Sequence, residues 1–182
     1  MKLQEQIHKI RTLMELEIKK ETLMNLLYEF LPNQNDIWHL YYSIEETLND
    51  KFTREDFENE IKYSGPAKEI SNKFDDAALT AFKNMQKDFP SIKIRDNSLR
   101  DALKQKNIFI NSAIRNGGKI KSGLRRAALP GFSQHHTGKA FDVKNYTNLP
   151  QRNKLKQYGF ILPYAEDSGF RMAEPWHIYY EP

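Results

Sequence analysis

Residues 133–142 read SQHHTGKAFD, and residues 174–177 read EPWH. These two stretches supply two imidazoles and a carboxylate that can hold a metal, at His135, Asp142 and His177, and a further carboxylate beside the last imidazole. Three protein ligands on Zn²⁺ leave one coordination position for water, as in catalytic rather than structural sites. The chain contains no cysteine, so any zinc site has to be built from histidine and carboxylate.

The first stretch needs a turn before its two ligands can meet. His135 and Asp142 are separated by an odd number of positions, so on one unbroken strand they would face opposite sides. Gly138 lies between them and accepts a positive φ without steric cost, so we expect it to supply the turn. Ala140 then shares the face of Asp142 and leaves space beside the ion. Ser133, before the turn, can hydrogen-bond a ligand or a substrate carboxylate.

The second stretch is expected to enter a strand through a kink or bulge. Pro175 disfavours a helix and pushes Glu174 toward an extended conformation. We expect His177 to point at the metal and Glu174 to reach the metal-bound water rather than the metal itself. Trp176 and Ile178 should face the other way and anchor the strand in the core. A carboxylate beside a Lewis-acidic ion is the arrangement that hydrolytic zinc enzymes need.

The sequence on either side of the two stretches predicts a mixed fold. The elements expected are a helix over 75–89, short strands over 108–110, 140–143 and 176–180, and a helix over 151–158 that ends at Gly159. The fold class predicted is α+β, with a small antiparallel sheet and flanking helices that carry the zinc site. A helical N-terminal region precedes it.

That N-terminal region is predicted to contain an amphipathic helix over 3–31, a second helix over 36–48 and a third that a capping box at Thr53 and Asp56 opens. A break at 64–66 divides the chain into a helical region, 1–64, and a catalytic domain with the predicted zinc site, 65–182. The helices either pack on the catalytic domain or mediate docking or self-association.

The charge and hydropathy of the chain limit the kinds of binding partner and location that we expect. The net charge of +4 and the pI of about 9.1 are mildly basic, without a clustered basic tract, so we expect no nucleic-acid partner. No apolar run is long enough for a transmembrane segment. The first nine residues are interrupted by charges and do not form a signal peptide, so a trimmed leader, a phage-encoded protein or a secreted effector would explain delivery.

The pattern Ser-x-His-x-x-Gly-x-Ala-x-Asp followed by Glu-x-x-His resembles the LAS zinc peptidases, which include D-alanyl-D-alanine carboxypeptidases of the VanY type. The resemblance covers about residues 75–182. It implies that His135, Asp142 and His177 bind Zn²⁺ and that Glu174 is the general base, which later returns the proton to the leaving amine.

The stretch SAIR at 112–115 looks like the Ser-Gly-Tyr-Arg segment of this family, with Ala-Ile in place of Gly-Tyr. The resemblance then implies that Arg115 stabilises the oxyanion, with Arg125 as a competing candidate. Ser112, Ser133 and Arg125 are the expected substrate-binding residues.

The resemblance implies a zinc carboxypeptidase that removes a terminal D-alanine from peptidoglycan stem peptides, acting in the periplasm or cell wall. Two alternatives stay open. One is a peptidoglycan endopeptidase with the same site, of the phage lysin or delivered effector type. The other is a zinc-binding interaction module without turnover.

Overall fold

A computed structural model describes residues 53–60, 70–164 and 172–182 of the chain. The helices predicted over 3–31 and 36–48 and the break at 64–66 lie outside these residues. The described residues fall into two compact units, the first with 53–60 and 105–132 and the second with 70–104, 133–164 and 172–182. None of the helices in these ranges is long and apolar enough to cross a membrane.

The second unit is built around a four-stranded antiparallel sheet. The α-helices of the described residues are α1 (Arg54–Glu60), α2 (Asp76–Asp88), α3 (Ala102–Arg115), α4 (Ile120–Leu124) and α5 (Arg152–Gln157). The strands are β1 (Lys93–Ile94), β2 (Ala140–Lys144), β3 (Phe160–Ile161) and β4 (His177–Tyr180), in the sheet order β1-β2-β4-β3. The predicted α+β class with a small antiparallel sheet is therefore confirmed.

The core of the second unit lies between α2 and one face of the sheet. Helix α2 begins after Asp75, whose side chain accepts a hydrogen bond from the backbone N–H of Ala78 at 2.8 Å. Its buried face includes Phe82, which stacks on Phe141 of β2 with a centroid distance of 5.3 Å. Ile178 of β4 belongs to the same buried cluster, as predicted. The residues that alternate with Phe141 and Ile178 therefore face the other side of the sheet.

The helix predicted over 151–158 is confirmed as α5, and Gly159 follows it with φ of +78°. In the first unit the capping box is confirmed as well. The backbone N–H of Thr53 donates to the carboxylate of Asp56 at 2.7 Å, and the N–H of Asp56 donates to the Thr53 hydroxyl at 3.1 Å. Phe57 of α1 is buried, and its ring meets Phe109 edge-on at 5.9 Å.

The strand predicted over 108–110 is wrong, because these residues lie inside α3. The buried residues of α3 are Gln105, Phe109, Ile110 and Ala113, a helical spacing that a three-residue apolar run does not reveal. Asp101 caps the helix by accepting a hydrogen bond from the backbone N–H of Lys104 at 2.7 Å. The strand of this region is β1, which lies earlier in the chain.

Candidate metal centre

Two of the predicted ligands meet because they are partners across a pair of strands. Asp142 of β2 and His177 of β4 are directly opposite each other in the antiparallel register. Directly opposed side chains on one face of such a pair have Cβ atoms about 4.5–5.5 Å apart. The Nδ1 atom of His177 consequently lies 3.2 Å from Oδ1 of Asp142, and both side chains are buried.

The third ligand reaches the same point from a 3₁₀ turn over Gln134–Thr137. Ser133 caps this turn, since its side chain accepts a hydrogen bond from the backbone N–H of His135 at 3.3 Å. Gly138 ends it in the left-handed region with φ of +72°, as predicted. A Cβ at this glycine would lie 2.6 Å from the backbone oxygen of Lys73, so the site requires glycine here.

The two distances from the Asp142 oxygen are those expected of ligands on one tetrahedral ion. Nε2 of His135 lies 3.5 Å from the same Asp142 oxygen that His177 approaches, and the three ligand atoms lie within 4.8 Å of one another. Two ligands about 2.0–2.1 Å from a tetrahedral Zn²⁺ lie about 3.3–3.4 Å apart. The separations of 3.2 and 3.5 Å match that spacing.

Hydrogen bonds to the outer nitrogens explain which atoms face the centre. The carbonyl of Ser98 lies 2.6 Å from Nδ1 of His135, and the side-chain oxygen of Gln134 lies 2.9 Å from Nε2 of His177. Because these oxygens can only accept, both outer nitrogens carry the proton. The lone pairs of the two inner nitrogens then converge on one carboxylate oxygen, an arrangement that a cation stabilises.

Burial and charge keep the three ligands in the protonation states that metal binding needs. Burial lowers the pKa of both His135 and His177, which favours neutral imidazoles. Burial alone would raise the pKa of Asp142, but its contacts with the two imidazoles and the charge of Arg100 hold that pKa well below its usual range. Neutral imidazole and ionised carboxylate are the metal-binding forms.

Glu174 lies next to the ligands on a turn that leads into β4. The backbone N–H of His177 donates to the carbonyl of Glu174 at 3.0 Å, which closes the turn with Pro175 inside it. The Glu174 side chain is buried, and its Oε2 lies 3.9 Å from Nδ1 of His177. The carboxylate is therefore beside the nitrogen of His177 that faces Asp142. The kink predicted at this position has the form of a tight turn.

A segment that the sequence reasoning missed holds the ligands in place. Residues 95–100, which we name the site loop, follow β1. Ser98 is fully buried, and its hydroxyl donates to the carbonyl of Asp142 at 3.1 Å and accepts from the N–H of Asp142 at 2.9 Å. Arg100 donates through Nη2 to Oδ2 of Asp142 at 2.5 Å. The same residue accepts at its carbonyl from Nδ1 of the buried His136 at 2.8 Å.

A signal for the site loop was present in the sequence. The site loop contains the run NSLR at 97–100, which ends in arginine as SAIR at 112–115 does and directly follows a strand. The strand predicted over 108–110 instead places Ser112 and Arg115 just after a strand. A strand prediction at Ile92–Ile94, which alternates apolar and charged residues, would have pointed to Ser98 and Arg100.

The remaining predicted site residues lie in the first unit. Ser112 and Arg115 are on the last turns of α3, and Arg115 is exposed. The hydroxyl of Ser112 is buried and has no hydrogen-bond partner among the described residues. Arg125 is exposed and follows α4. The oxyanion and substrate-binding roles of these three residues stay predictions.

The part of the chain that contains this candidate site matches a known protein family. A sequence profile of the VanY family, described as D-alanyl-D-alanine carboxypeptidase, matches residues 69–182, more than half of the chain. The chain belongs to the VanY family. The predicted resemblance is thus confirmed, over slightly more of the chain than expected. No curated protein sequence matches the chain.

One solved structure supports the fold assigned to the VanY-family chain, and a second is similar to part of the chain. A mutant of the vancomycin-resistance D,D-pentapeptidase VanY in complex with Zn(II) is 20% identical, with a TM-score of 0.50, and the match covers 63% of this chain and 78% of that chain. The LdcB LD-carboxypeptidase is 25% identical with a TM-score of 0.48, over 59% of this chain and 58% of that chain. The chain thus spans 58% of the length of LdcB.

Proposed function

We propose that this VanY-family chain is a zinc-dependent peptidoglycan peptidase, and that it acts as a carboxypeptidase that removes a terminal D-alanine from stem peptides. One observation carries the proposal. The ligand atoms of His135, Asp142 and His177 converge to within 4.8 Å of one another with the Glu174 carboxylate next to them. The description of the family as D-alanyl-D-alanine carboxypeptidase supports the choice of substrate. That substrate would place the reaction in the periplasm or cell wall.

The donor set supports zinc. Two neutral imidazoles and one carboxylate leave a divalent ion with a net charge of about +1, and borderline-soft Zn²⁺ suits nitrogen and oxygen ligands. Held by these three residues, Zn²⁺ would polarise the scissile carbonyl and lower the pKa of a water molecule toward about 7.

Glu174 has the position of a general base. Its carboxylate is buried, and its Oε2 lies 3.9 Å from Nδ1 of His177, the nitrogen proposed to bind the metal. It would accept the proton of the attacking water and then deliver that proton to the leaving amine. A positioned acid–base group of this kind contributes about 10²–10⁴ in rate.

Arg100 joins Arg115 and Arg125 as a candidate for stabilising negative charge on the carbonyl oxygen. Its side chain is 11% exposed and contacts Asp142 directly, which places a permanent positive charge at the edge of the ligand set. Its Nε donates to the carbonyl of Asn97 at 2.7 Å, so the guanidinium is held at two points. We favour Arg100 for this role because a fixed cation stabilises developing charge without reorganisation.

The test is incubation with purified sacculi, with and without a chelator, followed by mass spectrometry of the released muropeptides. We expect free alanine and stems shortened by one residue, and we expect the chelator to abolish both. Products that are split within the stem or cross-bridge would instead establish the endopeptidase alternative.

A variant separates chemistry from binding in the same assay. Glu174→Gln keeps the shape of the side chain and removes its basicity, so we expect zinc to stay bound while the rate falls about 10²–10⁴-fold. An unchanged rate would remove Glu174 from the general-base role. A wild-type protein that binds zinc and releases nothing from sacculi or from D-alanine-terminated peptides would identify the non-catalytic interaction module.

A further inference from the structure

The two histidines of the centre present different nitrogens to it. His135 turns Nε2 inward, and its Nδ1 lies against the Ser98 carbonyl. His177 turns Nδ1 inward, and its Nε2 lies against the side chain of Gln134. A backbone carbonyl is fixed by the fold and can only accept, but an amide side chain is a replaceable group with both an acceptor and a donor end. The hydrogen bond at the outer nitrogen of His177 therefore depends on one replaceable side chain.

We propose that Gln134 is a positioning residue that selects the metal-binding form of His177. Its Oε1 accepts the hydrogen bond from Nε2 of His177 at 2.9 Å and so keeps the proton on the outer nitrogen. The lone pair of Nδ1 is thereby left facing Oδ1 of Asp142 at 3.2 Å. The inference rests on the proposed function in one respect, because it takes His177 to be a metal ligand.

The local backbone allows one turn to serve both imidazoles. Gln134 and His135 are consecutive residues of the 3₁₀ turn, in which neighbouring side chains diverge by about 120°. His135 can therefore enter the centre while Gln134 passes to the outer edge of the His177 ring. The two imidazole rings meet edge to face with centroids 4.8 Å apart, so the turn that carries the first ligand lies against the second.

The aromatic contact of the His177 ring restricts its plane but does not select its proton. The ring of Tyr164 packs against it with a centroid distance of 5.2 Å. An aromatic face restrains the tilt of the imidazole equally in both tautomers. A hydrogen bond to Nε2 distinguishes the tautomers, since its oxygen acceptor requires the proton at that atom. Loss of this bond should allow either nitrogen of His177 to carry the proton without displacing the ring.

The affinity of the full chain for zinc tests this role of Gln134 directly. It can be measured by competition with a chromophoric chelator. Loss of a hydrogen-bonding partner behind a ligand typically costs 10–100-fold in metal affinity. We expect a loss of about that size for Gln134→Met, which keeps the length of the side chain and removes the oxygen acceptor. Gln134→Glu keeps an acceptor and should restore affinity to within a few-fold of wild type.

A control on the same turn separates tautomer selection from simple stability of the turn. Thr137 donates through its hydroxyl to the carbonyl of Gln134 at 2.7 Å and is exposed. Thr137→Ala weakens the turn but leaves the hydrogen bond to His177 intact, so we expect its zinc affinity to stay close to wild type. Equal losses in Thr137→Ala and Gln134→Met would overturn the proposal in favour of a structural role.

Nitrogen NMR of the imidazoles in the zinc-loaded wild-type protein gives a second readout that does not require a folded variant. We expect His177 to carry its proton on Nε2 and His135 to carry its proton on Nδ1. A proton on Nδ1 of His177 contradicts the proposal. If the wild-type protein binds no zinc, the metal centre itself is wrong; if it binds zinc and Gln134→Met binds equally well, only the role of Gln134 is wrong.

Discussion

Two segments of this chain carry a serine and an arginine in similar patterns, but they have different surroundings. In the site loop, the Ser98 hydroxyl makes two hydrogen bonds to the backbone of Asp142, and Arg100 contacts the carboxylate of that residue. At the end of α3, the Ser112 hydroxyl has no partner among the described residues and Arg115 is exposed. A short motif therefore specifies which donor groups are present. The role of those groups depends on which other residues lie within hydrogen-bonding distance of them.

The largest expected difference between the two segments concerns the arginines. We expect Arg100→Ala to lower kcat/KM by about 10²–10³, the usual cost of losing a donor to the oxyanion. Arg115→Ala is the matched variant, and we expect it to leave kcat/KM unchanged because its side chain is exposed. The measurement is hydrolysis of a D-alanine-terminated peptide.

Zinc content has to be measured in both arginine variants, because Arg100 also contacts a proposed ligand. A lower rate at full zinc occupancy assigns Arg100 to the reaction rather than to metal retention. The reverse result, a large loss in Arg115→Ala alone, would restore the prediction made from the SAIR stretch.

Two glycines with positive φ give the next comparison. Gly138→Ala places an L-residue in the left-handed region, at about 1–2 kcal/mol, and its Cβ would overlap the backbone of Lys73, at about 1–3 kcal/mol more. Gly117 follows α3 with φ of +91° and has open space around a Cβ. Gly117→Ala should therefore lose only the free energy of placing an L-residue in the left-handed region. Denaturant unfolding of the two variants measures the difference. Equal losses would mean that the backbone around Gly138 relaxes readily.

The smallest expected difference is in the free energy of unfolding, between variants of Ser98 and Ser112. Ser98→Ala leaves the buried N–H of Asp142 without its hydroxyl partner, so we expect a loss of about 1–3 kcal/mol in the free energy of unfolding. Ser112→Ala removes a buried hydroxyl that has no partner among the described residues, so we expect no loss. Thermal or denaturant unfolding at fixed pH tests both variants. A destabilised Ser112→Ala protein would show that this hydroxyl has a partner outside the described residues.

Much of the fold could be predicted where the signal was local. The capping box at Thr53 and Asp56, the helix that Asp75 caps and the turn at Gly138 are confirmed, since each depends on residues within a few positions of one another. The interior of α3 could not be predicted in this way. Its three apolar residues fit a strand or a helix, and the helix follows only from burial at spaced positions over the whole segment.

The sequence by itself determined which residue types the candidate centre contains. It contains His135, Asp142, His177 and Glu174 in the order typical of the family, with a glycine where the backbone needs a positive φ. These are properties of residue type and short spacing, which sequence alone expresses.

The tertiary structure decided what surrounds those side chains. Asp142 and His177 lie opposite each other because of the strand register. The hydrogen bonds from Ser98, Arg100 and Gln134 to these two residues join segments about 35 to 45 positions apart. Hydrogen bonds over such separations have no periodic signature in a single sequence. They exist only because folding brings the site loop, the 3₁₀ turn and β4 to one side of the sheet.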